Sequence, residues 1–281
     1  MSSPGPAEDA PWIENRPSTA WLPRIDLRKL WSYRELAYFL AQKDLKVRYK
    51  QTALGVAWAV LQPLAAVAIF TIVFGRLADL PSDGIPYAVF VYAGLIVWTY
   101  VSRSVDAVAQ SLVQNTALVT KVYFPRLLAP IAAVVPGLLD FAISLALMAV
   151  FMAVYGVVPT LAVVLLPVWI LAAVLTVLAV GLWLSALNVT YRDVRHTLPF
   201  LIQVWLFASP VVYPASLFEG AWLYVYALNP MVGVLEGFRW SLVAGPPPGG
   251  EVFVSLAVAL LVLAGGLVYF LKVERRFADV I

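Results

Sequence analysis

The longest uncharged stretch of the chain runs from Phe141 to Tyr191, 51 residues without an Asp, Glu, Lys or Arg. No soluble domain has an interior that could hold such a stretch as one element. A bilayer core of about 30 Å is crossed by roughly 20 helical residues, so the stretch is too long for one crossing and fits two. Tyr155-Gly156 and Pro159 supply the break between them. The stretch therefore predicts two consecutive transmembrane helices.

Further uncharged windows before and after this stretch raise the predicted number of crossings to six. Backbone polar groups cannot stay unpaired in lipid, and the windows are continuously apolar instead of alternating, so they predict helices and not barrel strands. The predicted fold class is an all-α polytopic membrane protein, in keeping with 62% hydrophobic and 12% charged residues. The predicted spans are Ala53–Phe74, Tyr87–Ala107, Leu127–Val154, Thr160–Leu187, Thr197–Tyr213 and Val252–Leu271.

The distribution of basic residues predicts the orientation. With both termini in the cytoplasm, 16 of the 19 Lys and Arg residues fall on the inner side, as the positive-inside rule requires. Arg103, near the end of the second span, fits neither side clearly. We expect a multi-pass protein of the cytoplasmic membrane in contact with its lipids. The net charge of +3 reflects this topology, and no basic stripe interleaved with aromatics indicates a nucleic-acid partner.

Composition also limits the chemistry. The chain has no cysteine and one histidine, so neither a thiolate site nor a histidine metal cluster is expected, and no metal is predicted. Residues 1–29 are predicted to be a variable cytoplasmic tail. Their first part, Met1–Pro23, lacks the basic start and apolar core of a signal peptide, so no cleavage is expected.

Residues 30–50 are predicted to form an amphipathic helix that lies in the membrane interface. Leu36, Leu40 and Val47 share one face and Lys43 and Lys46 another. Seven basic and two acidic residues between positions 28 and 50 would hold the helix against an anionic inner leaflet. The alternative is a solvated basic flank that only fixes the topology.

The loop between the second and third spans, residues 115–126, is short, cytoplasmic and amphipathic. Its Phe124-Pro125 step ends any helix and turns the chain into the third span. A simple reversal has little use for Val122, Tyr123 and Phe124 together, and exposed apolar groups rimmed by charge predict a docking site for another protein. The alternative is that these aromatics form an interfacial belt.

After the fifth span the apolar segments become too short to cross a membrane. Residues 216–245 are broken at Asn229-Pro230 and carry Glu236 and Arg239, a combination typical of re-entrant or interfacial helices that pack on protein or line a wet cavity. We expect these helices at the external mouth. Glu236 and Arg239 are three residues apart and are predicted to pair on one helix face.

One acid, Asp140, falls inside the third span. A carboxylate at that depth costs several kcal/mol unless it is paired or solvated. We expect it to be a buried group hydrogen-bonded within the bundle, with Ser144 one turn away as a candidate partner.

Several local motifs together resemble the permease subunits of ABC-2 type transporters, most closely those that export lipid-linked O-antigen polysaccharide, teichoic acid or related cell-wall glycans. The resemblance runs from about residue 30 to the C-terminus and assigns residues 51–281 to one six-helix transmembrane domain. The motifs are Arg48-Tyr49-Lys50-Gln51-Thr52-Ala53-Leu54-Gly55, Trp58, Gln62-Pro63, Lys121-Val122-Tyr123-Phe124-Pro125-Arg126, Tyr191-Arg192-Asp193-Val194-Arg195, Ser209-Pro210-Val211-Val212-Tyr213-Pro214, Leu228-Asn229-Pro230 and Gly237-Phe238-Arg239.

The resemblance implies a homodimer that joins two copies of a separate ATPase and encloses a glycan-wide channel. The chain contains no Gly-x-x-x-x-Gly-Lys-Ser/Thr loop, so ATP and Mg are expected in the partner subunit, and this chain is expected to hold no cofactor and to be no enzyme. The resemblance assigns residues 115–126 to a coupling helix, 30–50 to a gate helix that touches the ATPase and 216–245 to external gate helices. The predicted ATPase-coupling residues are Asn115, Lys121, Tyr123, Phe124, Pro125, Arg126, Arg48 and Tyr49, and the predicted gate and turn residues are Tyr191, Arg192, Asp193, Pro210, Pro214, Asn229, Pro230, Glu236 and Arg239.

A glycan path should be aromatic and weakly charged, because sugars stack their C–H faces on rings. Six aromatic residues of the second and fifth spans are predicted to line it, although an interfacial belt would enrich the same residue types. They are Tyr92, Trp98, Tyr100, Trp205, Phe207 and Tyr213.

Two other functions remain open. An ABC-2 permease for drugs or small amphiphiles would share the fold without needing aromatic rings. A membrane-embedded glycan-processing enzyme would need acids that converge at one face. The external acids are scattered without a motif, at Asp79, Asp83, Glu219, Glu236 and Glu251.

Overall fold

A computed structural model describes residues 26–49, 55–191, 193–274 and 277. Within these residues the secondary structure is helical throughout, joined by turns, which confirms the predicted all-α class. The helices are α1 Leu27–Ser32, α2 Arg34–Tyr49, α3 Gly55–Phe70, α4 Tyr87–Gln114, α5 Thr116–Lys121, α6 Leu128–Tyr155, α7 Leu166–Thr190, α8 Val194–Phe207, α9 Ala221–Tyr226, α10 Pro230–Val243 and α11 Glu251–Val273. A π-helical turn, Thr71–Leu77, follows α3, and 3-10 turns lie at Leu161–Leu165 and Ala215–Leu217.

Helix α4 is the centre of the bundle and is buried along most of its length. It packs against α6 and α7, and α11 packs on the far side of α7. Gly181 allows the close approach of α7, because a Cβ there would lie 2.5 Å from Cγ1 of Val108 on α4. The Asn188 side chain of α7 donates a hydrogen bond to the Ala109 carbonyl of α4 over 2.9 Å. These contacts hold α4 and α7 together as the core pair.

Among the described residues, four helical segments are long and apolar enough to cross a membrane. They are Tyr87–Gln114, Leu128–Tyr155, Leu161–Thr190 and Glu251–Val273, and they correspond to the second, third, fourth and sixth predicted spans. Gly156, with φ of 67°, ends α6 in the left-handed conformation that favours glycine, as the predicted break at this position requires. The first predicted span falls on α3, and residues 50–54 before it lie outside the described part of the chain.

The fifth predicted span is wrong at its C-terminal end. Helix α8 stops at Phe207 and residues 208–214 form turns, whereas Thr197–Tyr213 was expected to be continuous. Fourteen helical residues extend about 21 Å, less than a bilayer core of about 30 Å. Prolines 210 and 214 lack backbone donors, and the Pro210 and Val211 carbonyls are bonded by a side chain of α10 instead of by helical amides.

The predicted N-terminal helix is divided at Tyr33 into α1 and α2. Leu40 and Ala41 of α2 are buried, and Leu36 packs against the same cluster, on the face that was predicted to be apolar. Helix α2 lies along α6. Val47, which shares the predicted apolar face, is 72% exposed in the chain, so its contact with the membrane interface stays a prediction.

Helix α10 is the most deeply enclosed of the short segments. Nearly all of its residues from Met231 to Val243 are buried, and it packs against α11, α7 and α4. Its start follows from local chemistry, because Asn229 caps the amide of Met231 and Pro230 occupies the first helical position. The predicted break at Asn229-Pro230 therefore separates the exposed α9 from the buried α10.

Candidate functional site

The α4–α5 junction is tied to the N-terminal helices by two lysines. Lys43 Nζ of α2 donates to Oδ1 of Asn115 over 2.6 Å, and the Asn115 amide donates to the Ser111 carbonyl. Lys29 Nζ of α1 donates to the Tyr123 hydroxyl over 3.0 Å and lies 4.8 Å from the centre of that ring. The hydrogen bond to Tyr123 raises the pKa of the Lys29 ammonium. The predicted gate-helix and coupling segments therefore form one contiguous surface.

The predicted docking cluster in this turn is exposed only in part. Tyr123 is 63% exposed and Val122 about half, but Phe124 is 4% exposed and packs with Leu40 of α2 and Phe270 of α11. The expectation that Phe124 projects from the surface was therefore wrong. The ring is packed inside this cluster at one end of the bundle and is not presented as an exposed apolar group.

The remaining predicted coupling residues surround this turn. Lys121 is exposed, and Pro125 is half-buried. Arg126 joins the turn to the end of α11, since its backbone amide donates to Oε1 of Glu274 over 2.9 Å and its guanidinium donates to the Glu274 carbonyl. The side chains of Arg48 and Tyr49 lie outside the described residues. ATPase coupling by this set stays a prediction.

Asn229 connects α8 to α10. Its Oδ1 accepts from the Trp205 indole over 3.0 Å, and its amide donates to the Ala208 carbonyl and the Ser209 hydroxyl. The Asn229 side chain therefore forms hydrogen bonds both with the end of α8 and with the start of α10, and these bonds hold the two helices in position relative to each other.

Arg239 connects α10 to the turn after α8. Its guanidinium donates to the carbonyls of Pro210 and Val211, each over 2.6 Å, and to Oε1 of Glu236 over 3.2 Å. It also lies 3.7 Å from the centre of the Phe90 ring on α4. The pairing of Glu236 with Arg239 that their spacing predicted is therefore present, and it is buried.

The other predicted gate and turn residues lie beside the 3-10 turn after α8 and between α7 and α8. Pro214 is buried beside the 3-10 turn, whose first residue, Ala215, donates its amide to Oε1 of Glu236 over 3.4 Å. Tyr191 and Asp193 are exposed between α7 and α8. Arg192 lies outside the described residues. A gating role for these residues stays a prediction.

The six aromatics predicted to line a substrate path differ in exposure. Within a single chain Tyr92, Trp98 and Tyr100 are buried, and Trp98 packs edge-to-face on Trp205 with ring centres 5.6 Å apart. Trp205 and Tyr213 are half-buried. Phe207 is 54% exposed. Their contact with a substrate stays a prediction.

Tyr92 and Tyr100 border a mostly apolar cavity between α3, α4 and α6 that contains a few polar side chains. Arg103 Nη2 donates to Oε1 of Gln62 over 2.7 Å, and its Nη1 lies 3.9 Å from Oδ2 of Asp140. Asp140 was expected to be hydrogen-bonded within the bundle with Ser144 as a candidate. The Ser144 hydroxyl instead donates to the main-chain carbonyl of Asp140, and the carboxylate pairs with Arg103.

Sequence reasoning left Arg103 unassigned because it was expected near a helix end. Helix α4 continues to Gln114, which places Arg103 well inside it. A signal was present: two opposite charges, Arg103 and Asp140, each within a predicted crossing or close to its end, must be paired or solvated.

Apolar helices long enough to span a bilayer, with polar side chains gathered between them, define the class as a multi-pass α-helical membrane protein. Comparison with known sequences gives the family. The model of the ABC-2 type transporter family matches residues 35–243. The chain belongs to this family.

Relatives within the family are named for polysaccharide transport. The chain is 36% identical over 239 residues to the O-antigen export system permease protein RfbA of Myxococcus xanthus, covering 84% of this chain and 91% of that protein. An RfbA of Klebsiella pneumoniae is 26% identical over 248 residues, with 88% and 95% covered. The polysialic acid transport protein KpsM of Escherichia coli is 26% identical over 229 residues, with 78% and 86% covered.

Proposed function

We propose that this chain is the transmembrane permease subunit of an ATP-driven exporter that moves lipid-linked polysaccharide across the cytoplasmic membrane. The observation that carries the proposal is the 36% identity to an O-antigen export permease over 84% of the chain. The match covers most of the chain, so it concerns most of the transport domain and not one shared motif.

In the proposed assembly two copies of the chain enclose the channel and each binds one copy of a separate ATPase. Helices α3, α4, α6, α7, α8 and α11 are the six crossings, with the turn at residues 208–214 completing the short fifth crossing. Both termini lie in the cytoplasm, which the placement of 16 of 19 basic residues supports. Helices α9 and α10 then lie at the external end.

The proposed ATPase contact is the surface formed by α1, α2 and the turn after α5. Val122 and Tyr123 are exposed there, and Lys29 and Lys43 fasten the N-terminal helices to the same turn. Because α2 also lies along α6, a displacement of the turn would be passed to a long apolar helix. This arrangement supports transmission of ATPase movement into the membrane.

The test is transport in sealed inverted vesicles that contain the purified chain and its partner ATPase. We expect lipid-linked glycan to become protected inside the vesicles in the presence of ATP, and not with a non-hydrolysable analogue. Vesicles with the ATPase alone are the matched control. Accumulation of hydrophobic dyes without any movement of lipid-linked glycan would contradict the proposal in favour of a small-amphiphile exporter.

A further inference from the structure

Arg103 lines two spaces in the helical bundle. One is the cavity of about 110 Å³ between α3, α4 and α6. The other is a groove of about 390 Å³ between α2, α4 and α6, bordered by Asp44, Asp106 and Gln114. Arg103 lines both, and we call the two spaces together the indentation.

The position and exposure of Arg103 favour water or a polar ligand in this indentation. Arg103 lies 11 residues before the end of α4 at Gln114, about 17 Å along the helix axis, within a helix that we propose to cross the membrane. Its side chain is nevertheless 43% exposed. A guanidinium open to hydrocarbon costs several kcal/mol, so the open side of Arg103 faces a wet space.

The charge of the indentation disfavours an anion. Asp44, Asp106 and Asp140 contribute three carboxylates, and Arg103 is the one cation that lines either space among the described residues. Lys43 approaches Asp44 to 3.4 Å but is directed to Asn115. A phosphate entering here would meet net negative charge, whereas a neutral ligand with many hydroxyls would find both acceptors and donors.

The walls of the inner cavity match the two sides of a sugar ring. Gln62, Arg103 and Asp140 present hydrogen-bonding groups, while Leu95, Ile96 and Phe141 present apolar surface. A volume of about 110 Å³ holds several water molecules, which a pyranose could replace. Hydroxyls can bond the polar groups while the C–H face covers the apolar wall.

We propose that this cavity is a saccharide subsite, in which Gln62, Arg103 and Asp140 bind a neutral sugar unit through its hydroxyls. The proposal rests on the proposed function, since it gives the exported glycan a position between α3, α4 and α6 of one chain. Arg103 and Asp140 then serve both as an ion pair that joins α4 to α6 and as ligands of the sugar.

The test uses the absence of cysteine in the full-length chain. Thr99, which lines the inner cavity, is replaced by cysteine, and its alkylation by a small water-soluble maleimide is timed in detergent. We expect slow but measurable labelling, slowed severalfold by at least one member of a panel of neutral hexoses and N-acetylhexosamines. Inorganic diphosphate should give no protection. A cysteine at the exposed Tyr191 is the control, and its labelling rate should not respond to any sugar.

The protection should disappear in Thr99→Cys chains that also carry Gln62→Ala or Arg103→Gln. Gln62 is exposed, so its replacement is expected to leave the fold intact even where Arg103→Gln lowers the yield. No labelling at Thr99→Cys, protection by diphosphate alone or protection by none of the sugars would each overturn the subsite.

A purely structural ion pair predicts a different result. Exchanging the charges in the double variant Arg103→Asp with Asp140→Arg would then restore both fold and transport, and such restoration would overturn the proposal. Wild-type vesicles that move no glycan would refute the proposed function, whereas normal export by Gln62→Ala and Arg103→Gln chains would refute only the subsite.

Discussion

Lys43 Nζ and Asn115 Oδ1 lie 2.6 Å apart, although 72 residues separate them in the sequence. This hydrogen bond joins α2 to the junction of α4 and α5, the place where the proposed ATPase contact would act on the membrane domain. Asn115 is held from its other side by the Ser111 carbonyl, so the lysine meets an oriented acceptor. The pair therefore links α2 directly to the C-terminal end of α4.

We expect Lys43→Ala and Asn115→Ala to lower thermal stability each by about 1 kcal/mol, because the bond is charge-assisted but half-exposed. A double-mutant cycle should recover most of that energy as coupling. Lys46→Ala is the matched control, since Lys46 is exposed and, among the residues that the structure describes, donates to Gln42 within α2 over 3.4 Å. Fully additive losses would show that the two side chains act independently.

In the turn after α5, replacing two adjacent aromatic residues is expected to lower stability by very different amounts. Phe124→Ala should cost about 3–5 kcal/mol of stability, because it opens a cavity in the cluster with Leu40 and Phe270. Tyr123→Ala removes an exposed ring and its hydrogen bond from Lys29, and should lower stability by no more than about 1 kcal/mol. Thermal unfolding of the purified chain measures both.

Co-purification with the ATPase then tests the docking surface. The Tyr123→Ala chain should fold normally and retain less ATPase than the wild type. Full ATPase retention by a folded Tyr123→Ala chain with normal export would contradict a docking role for this turn.

Arg239 should be among the least replaceable residues outside the long helices. Arg239→Met would leave the carbonyls of Pro210 and Val211 and the carboxylate of Glu236 buried without their partner, at a cost of about 3–5 kcal/mol. Glu236→Gln keeps an acceptor oxygen and should cost less. Thermal unfolding of the two variants checks the order, and an Arg239→Met chain as stable as the wild type would refute it.

Gly94 offers an independent test of the same contact. A Cβ at this position would lie 2.5 Å from the Val211 carbonyl oxygen and 2.7 Å from Nη2 of Arg239. We expect Gly94→Ala to destabilise the chain by about 1–3 kcal/mol through displacement of these atoms. A neutral effect would mean that the turn after α8 can move away without loss.

The helices were predicted correctly where the polarity of neighbouring residues in the sequence determines the local structure. Long uncharged windows became helices, and Asn229-Pro230 starts α10 because the cap and the proline act locally. Phe124 was misplaced because hydropathy reports a preference for apolar surroundings and does not distinguish a protein core from a partner surface or lipid.

Contacts between distant segments were the other source of error. The partner of Asp140 is Arg103 on a different helix, and Arg103 itself bonds Gln62, 41 residues away. The end of α8 depends on Arg239, which binds carbonyls 28 and 29 residues earlier. No periodicity within one window carries that information, because each contact joins groups that lie far apart in the sequence, and the acceptors of Arg239 in the turn after α8 are backbone carbonyls that every residue has.

The proposed orientation gives a labelling prediction. In this cysteine-free chain a single cysteine at Glu219, which is exposed before α9, should react with an impermeant thiol reagent added outside intact cells. A cysteine at Tyr191, exposed between α7 and α8, should react only after the cytoplasmic side is opened. Both variants change surface residues and should fold normally. The reverse pattern would invert the topology.

The last prediction separates aromatic residues that support the fold from those available to a substrate. Trp98 and Tyr100 are buried within one chain, so Trp98→Ala and Tyr100→Ala should each cost about 3–5 kcal/mol and reduce the folded yield. Phe207 is 54% exposed at the end of α8, so Phe207→Ala should leave stability within about 0.5 kcal/mol of the wild type. Export and ATPase activity are then compared per amount of folded protein. If Phe207 lines the glycan path, its variant should export less while ATP hydrolysis persists.

Tyr213 is intermediate between these two groups, because it is half-buried and its hydroxyl donates to the Phe207 carbonyl over 2.8 Å. Tyr213→Phe would therefore test that hydrogen bond without removing the ring. Normal export by Phe207→Ala and Tyr213→Ala, with losses for Trp98→Ala and Tyr100→Ala that only follow loss of folded protein, would refute the aromatic path and leave these rings as packing and lipid contacts.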